Sequence, residues 1–128
     1  MLVVDDTNER LLADEEVVAA LGYEPVGFTG AAAALAACQA SPERFDVLLI
    51  GYIAPAKSAL DLATALHEIT PDLPILLATA SADEINAEAL LAAGISGVVY
   101  RPLMFAEVAE ALARCLRAEP ISVRTLQS

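Results

Sequence analysis

The sequence predicts an α/β fold in which five strand–helix units alternate along one parallel sheet. Two observations carry that prediction. Short apolar runs of strand length are separated by longer stretches with helical apolar spacing, in strict alternation over nearly the whole chain. Small polar or charged groups then follow the strand ends, namely Asp5-Asp6, Thr79 and Arg101. The C-terminal ends of parallel strands are where open α/β sheets bind ligands.

Taken in order, residues 2–5 form the first strand. Residues 8–21 repeat apolar side chains at helical spacing (Leu11, Leu12, Val17, Val18, Leu21), and Gly22 suits the stop. Residues 25–28 form a short second strand. Thr29 is placed to cap a helix over 31–39, whose alanines are good helix formers. The turn Ser41-Pro42-Glu43-Arg44 leads into a third strand over 45–50. A loop of small residues, 51–57, precedes a helix over 58–68 that Pro71 breaks, and Pro74 opens the fourth strand, 75–78. The next helix covers 82–93 and stops at Gly94. The fifth strand is 97–100, and Arg101-Pro102 turns the chain into a last helix over 105–116. Later residues have no clear periodicity, so a domain over 1–117 is expected, with a tail or linker over 118–128.

The chain has 128 residues, enough for one domain with a real core. With 57% hydrophobic but 5% aromatic residues, that core is aliphatic and alanine-rich. Leu90, Leu91 and Leu112, Leu116 sit at core spacing. A net charge of −11 with seven scattered Lys and Arg argues against direct contact with nucleic acid. No apolar stretch reaches the roughly 18 residues of a membrane span. Asp5 and Asp6 interrupt the first apolar run, so it does not read as a signal sequence. A cytoplasmic location with no membrane contact by this domain is therefore expected. Cys38 and Cys115 lack metal-ligand spacing and read as buried free thiols. His67 is the one histidine, which rules out a His-based metal cluster.

The chemistry is expected at the strand ends. Adjacent carboxylates Asp5 and Asp6 suit a hard cation, but the third strand ends in Gly51, which supplies no acid. This pattern resembles the receiver domain of two-component response regulators and hybrid sensor histidine kinases, the CheY-like superfamily. The matching elements are Val3-Val4-Asp5-Asp6, Asp46-Val47-Leu48-Leu49, Pro55 four residues after Gly51, Pro74-Ile75 through Thr79-Ala80, and Arg101-Pro102-Leu103. The stretch Leu21-Gly22-Tyr23-Glu24-Pro25-Val26 looks like receivers fused to hybrid kinases. The resemblance covers residues 1–117. It implies a flavodoxin-like (βα)5 fold, doubly wound, with a parallel sheet in order 2-1-3-4-5. By position it also implies that Asp5 and Asp6 match the Mg²⁺ acids and Gly51 the phosphoacceptor Asp. Thr79 matches the switch hydroxyl, Arg101 the lysine that neutralises the phosphoryl group, and Pro102 the usually cis proline.

The departures from that family pattern shape the functional expectation. Gly51 has no nucleophile and cannot hold an acyl phosphate. With one carboxylate fewer, Asp5 and Asp6 are expected to bind Mg²⁺ weakly or stand vacant, with no other cofactor. The forked guanidinium of Arg101 is expected to reach Asp5 or Asp6 and imitate a metal or a permanently set state. Val98 stands where the family often has an aromatic switch residue, with Tyr100 next to Arg101 instead. Lys57 reads as a solvated loop charge, and Asp46 starts its strand at the opposite end of the sheet from the site.

The expected function is a non-enzymatic pseudo-receiver of a hybrid sensor histidine kinase or an atypical response regulator, acting by phosphorylation-independent protein contact. Expected partners are a histidine kinase, a phosphotransfer domain or an output domain, with a homodimer through the face from strand 4 to helix 5. One alternative is a phosphorylatable receiver with a non-standard acceptor. Another is an unrelated flavodoxin-like small-ligand binder. A nucleotide binder would want a Gly-rich turn where Asp5-Asp6-Thr7-Asn8 stands, and a flavin binder would want more aromatics.

Overall fold

The structure, a computed structural model, describes residues 1–51, 57–79 and 87–116. Its strands are β1 (Leu2–Val4), β2 (Val26–Phe28), β3 (Leu48–Ile50), β4 (Ile75–Thr79) and β5 (Gly97–Tyr100). The helices that follow them are α1 (Asn8–Ala20), α2 (Ala31–Ala40), α3 (Lys57–Ile69), α4 (Ala87–Ala92) and α5 (Phe105–Leu116). All strand pairs are parallel, and the sheet order is β2-β1-β3-β4-β5, as the resemblance implies.

The central strands are apolar throughout because helices cover both faces of the sheet. Alternate strand side chains point to opposite faces, which divides the core in two. Leu2, Val4, Leu48, Ile50 and Ile75 pack with Ala34 and Cys38 of α2, Leu62 and Leu66 of α3, and Leu90 of α4. Val3, Leu49, Leu76 and Val99 pack with Leu11 and Val18 of α1 and with Val108, Leu112 and Cys115 of α5. Both cysteines are free and buried, as expected.

Helix ends follow the glycine signals. Gly22 and Gly94 have φ of 93° and 82°, a left-handed backbone that side chains with a Cβ avoid. Four expectations need correction. Thr29 does not cap α2: the N-cap is Gly30, and its carbonyl accepts the Ala34 N–H at 3.3 Å. The buried stripe of α1 is Leu11, Asp14 and Val18, while Leu12 faces solvent at 62% exposure. Leu91 is likewise exposed, because Leu90 is the α4 residue that turns inward. The third strand is shorter than expected, yet Phe45 and Val47 ahead of it are buried. Pro55, the loop over 52–56, the first part of the helix expected from residue 82, and the tail over 117–128 lie outside the described residues, as do the side chains of Lys57 and Leu116.

The register brings the site together. Val4 pairs with Ile50, so Asp5 and Gly51 leave β1 and β3 side by side, and the Gly51 N–H donates to the Val4 carbonyl at 2.7 Å. On the other side, Thr79 pairs with Tyr100 and its carbonyl accepts the Arg101 N–H at 2.8 Å.

Candidate functional site

Asp5 is fully buried at the end of β1. Its Oδ1 accepts the Thr7 N–H at 2.9 Å and Arg10 Nε at 3.2 Å. Its Oδ2 accepts Arg10 Nε at 3.3 Å and Arg101 Nη2 at 3.0 Å. Arg10 is further held by Thr7, whose hydroxyl oxygen accepts Nη2 at 2.6 Å. Asp6, one residue on, points its side chain to the exposed surface.

Arg101 enters from the end of β5 across a cis bond to Pro102. It binds Asp14 as a fork, with Nη1 to Oδ1 at 3.0 Å and Nη2 to Oδ2 at 2.9 Å. The same Nη2 reaches Asp5, so one guanidinium ties β5 to β1 and to α1. The Asp14 side chain is 1% exposed and that of Arg101 17%. Burial pulls the Arg101 pKa down, but the hydrogen bonds and charge of Asp14, followed by the charge of Asp5, outweigh it and leave the pKa above its ordinary value. Asp5 and Asp14 are thus neutralised by Arg10 and Arg101, as burial of charge demands. Arg101 Nε is buried with no hydrogen-bond partner among the described residues.

Gly51 faces this cluster. A Cβ built on it would collide with Asp5 Oδ2 and lie 2.7 Å from Arg101 Nη2. The space beside the strand end is therefore filled by the ion pair. Thr79 is buried at the end of β4. Asp46 lies at the far end of the sheet, lining a polar pocket with Met1, Glu24 and Arg44.

The structure thus brings Asp5, Gly51, Thr79 and Arg101 to one edge, and Arg101 chooses Asp5 over Asp6. Sequence reasoning missed Asp14 and Arg10. Asp14 did carry a signal: it stands between Leu11 and Val18 on the stripe that helical spacing sends into the core, where an acid needs a buried cation.

Residues 1–113 match the family model of the response regulator receiver domain. The chain belongs to this family. It is 37% identical over 118 residues to the probable transcriptional regulatory protein TcrX of Mycobacterium tuberculosis. That alignment covers 91% of this chain and 49% of TcrX, so the chain spans about half the length of the curated relative it matches. A response regulator receiver domain protein from Clostridium thermocellum superposes with a TM-score of 0.80 at 20% identity, covering 91% of this chain and 93% of that one. A putative pilus assembly protein (CpaE) from Burkholderia thailandensis superposes with a TM-score of 0.74 at 26% identity, covering 91% and 96%.

Receiver domains typically bind Mg²⁺ at their acidic site, which sets a test of fit for this receiver. Mg²⁺ requires near-octahedral oxygen ligands and keeps several waters. Here both Asp5 oxygens already accept hydrogen bonds from cations, and both Asp14 oxygens accept from Arg101. Among the described residues no group of three or more His, Cys, Asp or Glu is arranged to hold a metal ion. As arranged, the side chains do not fit the ion.

Proposed function

We propose that this receiver works without phosphorylation at position 51 and presents one fixed conformation to a protein partner. The observation that carries the proposal is the place of Gly51. It follows β3 directly beside Asp5, has no nucleophile, and borders a pocket filled by the Arg101 guanidinium. Asp5, Asp6, Gly51, Thr79, Arg101 and Pro102 then frame a degenerate phosphorylation pocket. Arg101 supplies in place the positive charge that a phosphoryl group and its metal would otherwise organise.

The receiver-like domain is residues 1–117, with 118–128 as a tail or linker to whatever follows. The partner is a histidine kinase, phosphotransfer or output domain, in keeping with the transcriptional regulator among the relatives. A hybrid sensor kinase is the alternative parent. Docking or homodimerisation uses the face from β4 to α5, where Leu91, Met104 and Phe105 are each more than half exposed. The setting is cytoplasmic. Among the described residues no helix is long and apolar enough to cross a membrane.

The test is incubation of the chain with Mg²⁺ and acetyl phosphate, followed by intact-mass measurement and, separately, beryllofluoride titration by NMR. No phosphoryl adduct and no saturable shift are expected. A stoichiometric acyl phosphate would establish a non-standard acceptor and end the proposal.

A further inference from the structure

Deepening that reading and resting on it, we infer that Arg101 is a tethered cation that closes the acidic site to divalent metal, and that Asp14 is the anchor that holds it there. The side chains at the strand edge carry the argument. Asp5 has no exposed surface, and three donors, Thr7 N–H, Arg10 Nε and Arg101 Nη2, occupy its two oxygens. A divalent ion on Asp5 would have to displace a guanidinium and then sit beside its positive charge. Displacement is opposed because Arg101 does not depend on Asp5 alone. Its two Nη groups both bind the Asp14 carboxylate, which is itself buried and has no water to turn to. Releasing Arg101 would leave Asp14 a buried, unpaired charge, a state that proteins tolerate poorly.

Arginine is required for this. A planar fork can hold both Asp14 oxygens and still reach Asp5 with one nitrogen, whereas a lysine ammonium is a point charge on a flexible stem. With the guanidinium gone, Asp14 on α1 loses both Arg101 donors, and Asp5 loses its cation from the end of β5 and keeps Arg10, with Asp6 beside it. The same residues that reject a divalent ion in the native chain then become its ligands.

The experiment measures Mn²⁺ binding to the full chain by the loss of the free-ion EPR signal, with circular dichroism as a check on folding. The wild type is expected to leave millimolar Mn²⁺ free. Arg101→Ala is expected to gain binding by about 10–100-fold, the range by which groups around a metal site tune affinity. Adding Asp14→Asn to Arg101→Ala is expected to remove most of that gain. Equal affinity in the wild type and Arg101→Ala would overturn the inference, as would a gain that ignores Asp14.

Should Arg101→Ala fail to fold, the wild type alone decides. Its Arg101 side-chain ¹⁵N resonances are expected to stay fixed through a Mg²⁺ titration, and a saturable shift would refute the closed site. The two proposals fail separately. A chain that ignores Mn²⁺ but gains a phosphoryl group refutes only the functional reading, and one that binds Mn²⁺ without gaining a phosphoryl group refutes only this inference.

Discussion

A single methyl group at position 51 tests whether glycine there is required by its surroundings. In Gly51→Ala the new Cβ would collide with Asp5 Oδ2, lie 3.2 Å from Asp5 Cγ and lie 2.7 Å from Arg101 Nη2. Ordinary van der Waals contact begins at 3.4 Å, so Nη2 would have to retreat by about 0.7 Å (3.4 minus 2.7). Moved away from Gly51 by that much, its 3.0 Å bond to Asp5 passes the roughly 3.2 Å limit of a good N–H···O bond. Asp5 Oδ2 must give way as well, although Asp5 is fully buried and held by Thr7 and Arg10.

Overpacking of this kind costs about 1–3 kcal/mol. Against it stands a gain of about 0.4–1 kcal/mol, because alanine restricts the unfolded chain more than glycine does and Gly51 has no left-handed backbone to lose. The net expectation is a loss of about 0–2.6 kcal/mol, read as a lower urea midpoint with an unchanged slope. Far-UV circular dichroism is the probe, because the chain has no tryptophan. A Gly51→Ala variant more stable than the wild type would refute the reasoning: the ion pair would then be loose enough to move aside. The companion measurement is Gly51→Asp with and without Arg101→Lys. The two substitutions share one contact, so their effects should be coupled by about 0.5–3 kcal/mol, the pair costing less than the sum.

Three further outcomes are expected. Asp14→Asn removes a charged acceptor from a buried fork while Asp5 keeps part of the pairing, so urea unfolding should show a loss of about 1.5–3 kcal/mol. A change within a few tenths would show that Asp14 does not hold Arg101. Gly94→Ala should destabilise by at least about 1 kcal/mol, since it strains a φ of 82° and drives a Cβ into the His67 ring; a melting temperature at or above wild type would contradict this. Burial pushes the Cys115 thiol up to about 11. Its contribution to stability is complete below the ordinary thiol value near 8.5 and is lost as pH rises towards the folded value. The urea midpoint of the wild type should therefore fall across that alkaline window more steeply than that of Cys115→Ala, and parallel curves would count against the assignment.

The sheet was legible because buried parallel strands are written as continuous apolar runs, and the glycines that end α1 and α4 lie where left-handed residues are needed. Arg101 reaching Asp5 was legible too, since a guanidinium fork at one strand end pairs with a carboxylate at another. Thr29 was misassigned because helix-cap signals do not distinguish adjacent positions, and Gly30 served. The larger miss was Asp14. The apolar spacing of Leu11, Leu12, Val17, Val18 and Leu21 blurs the face of α1 that turns inward. Leu12 is exposed and Asp14 is buried, so the polar residue on the stripe carried more information than the apolar ones beside it. Arg10 escaped notice because its role depends on where Asp5 points, which one strand's sequence does not specify.

The geometry makes Gly51, Arg101 and Asp14 one unit. An acid on the core stripe of α1 is tolerable only with a buried cation, and Arg101, just past β5, supplies it. A fork at position 101 satisfies both Asp14 oxygens and Asp5 together, but doing so brings Nη2 to the flank of β3. There it joins Asp5 Oδ2, the first atom a Cβ at position 51 would meet, in crowding the residue after Ile50. The bare backbone at position 51 fits the crowding by Asp5 and by the Arg101 guanidinium that Asp14 holds. Restoring an acid there would therefore take three coordinated changes, at 14, 51 and 101, because each single change leaves either a collision or an unpaired buried charge.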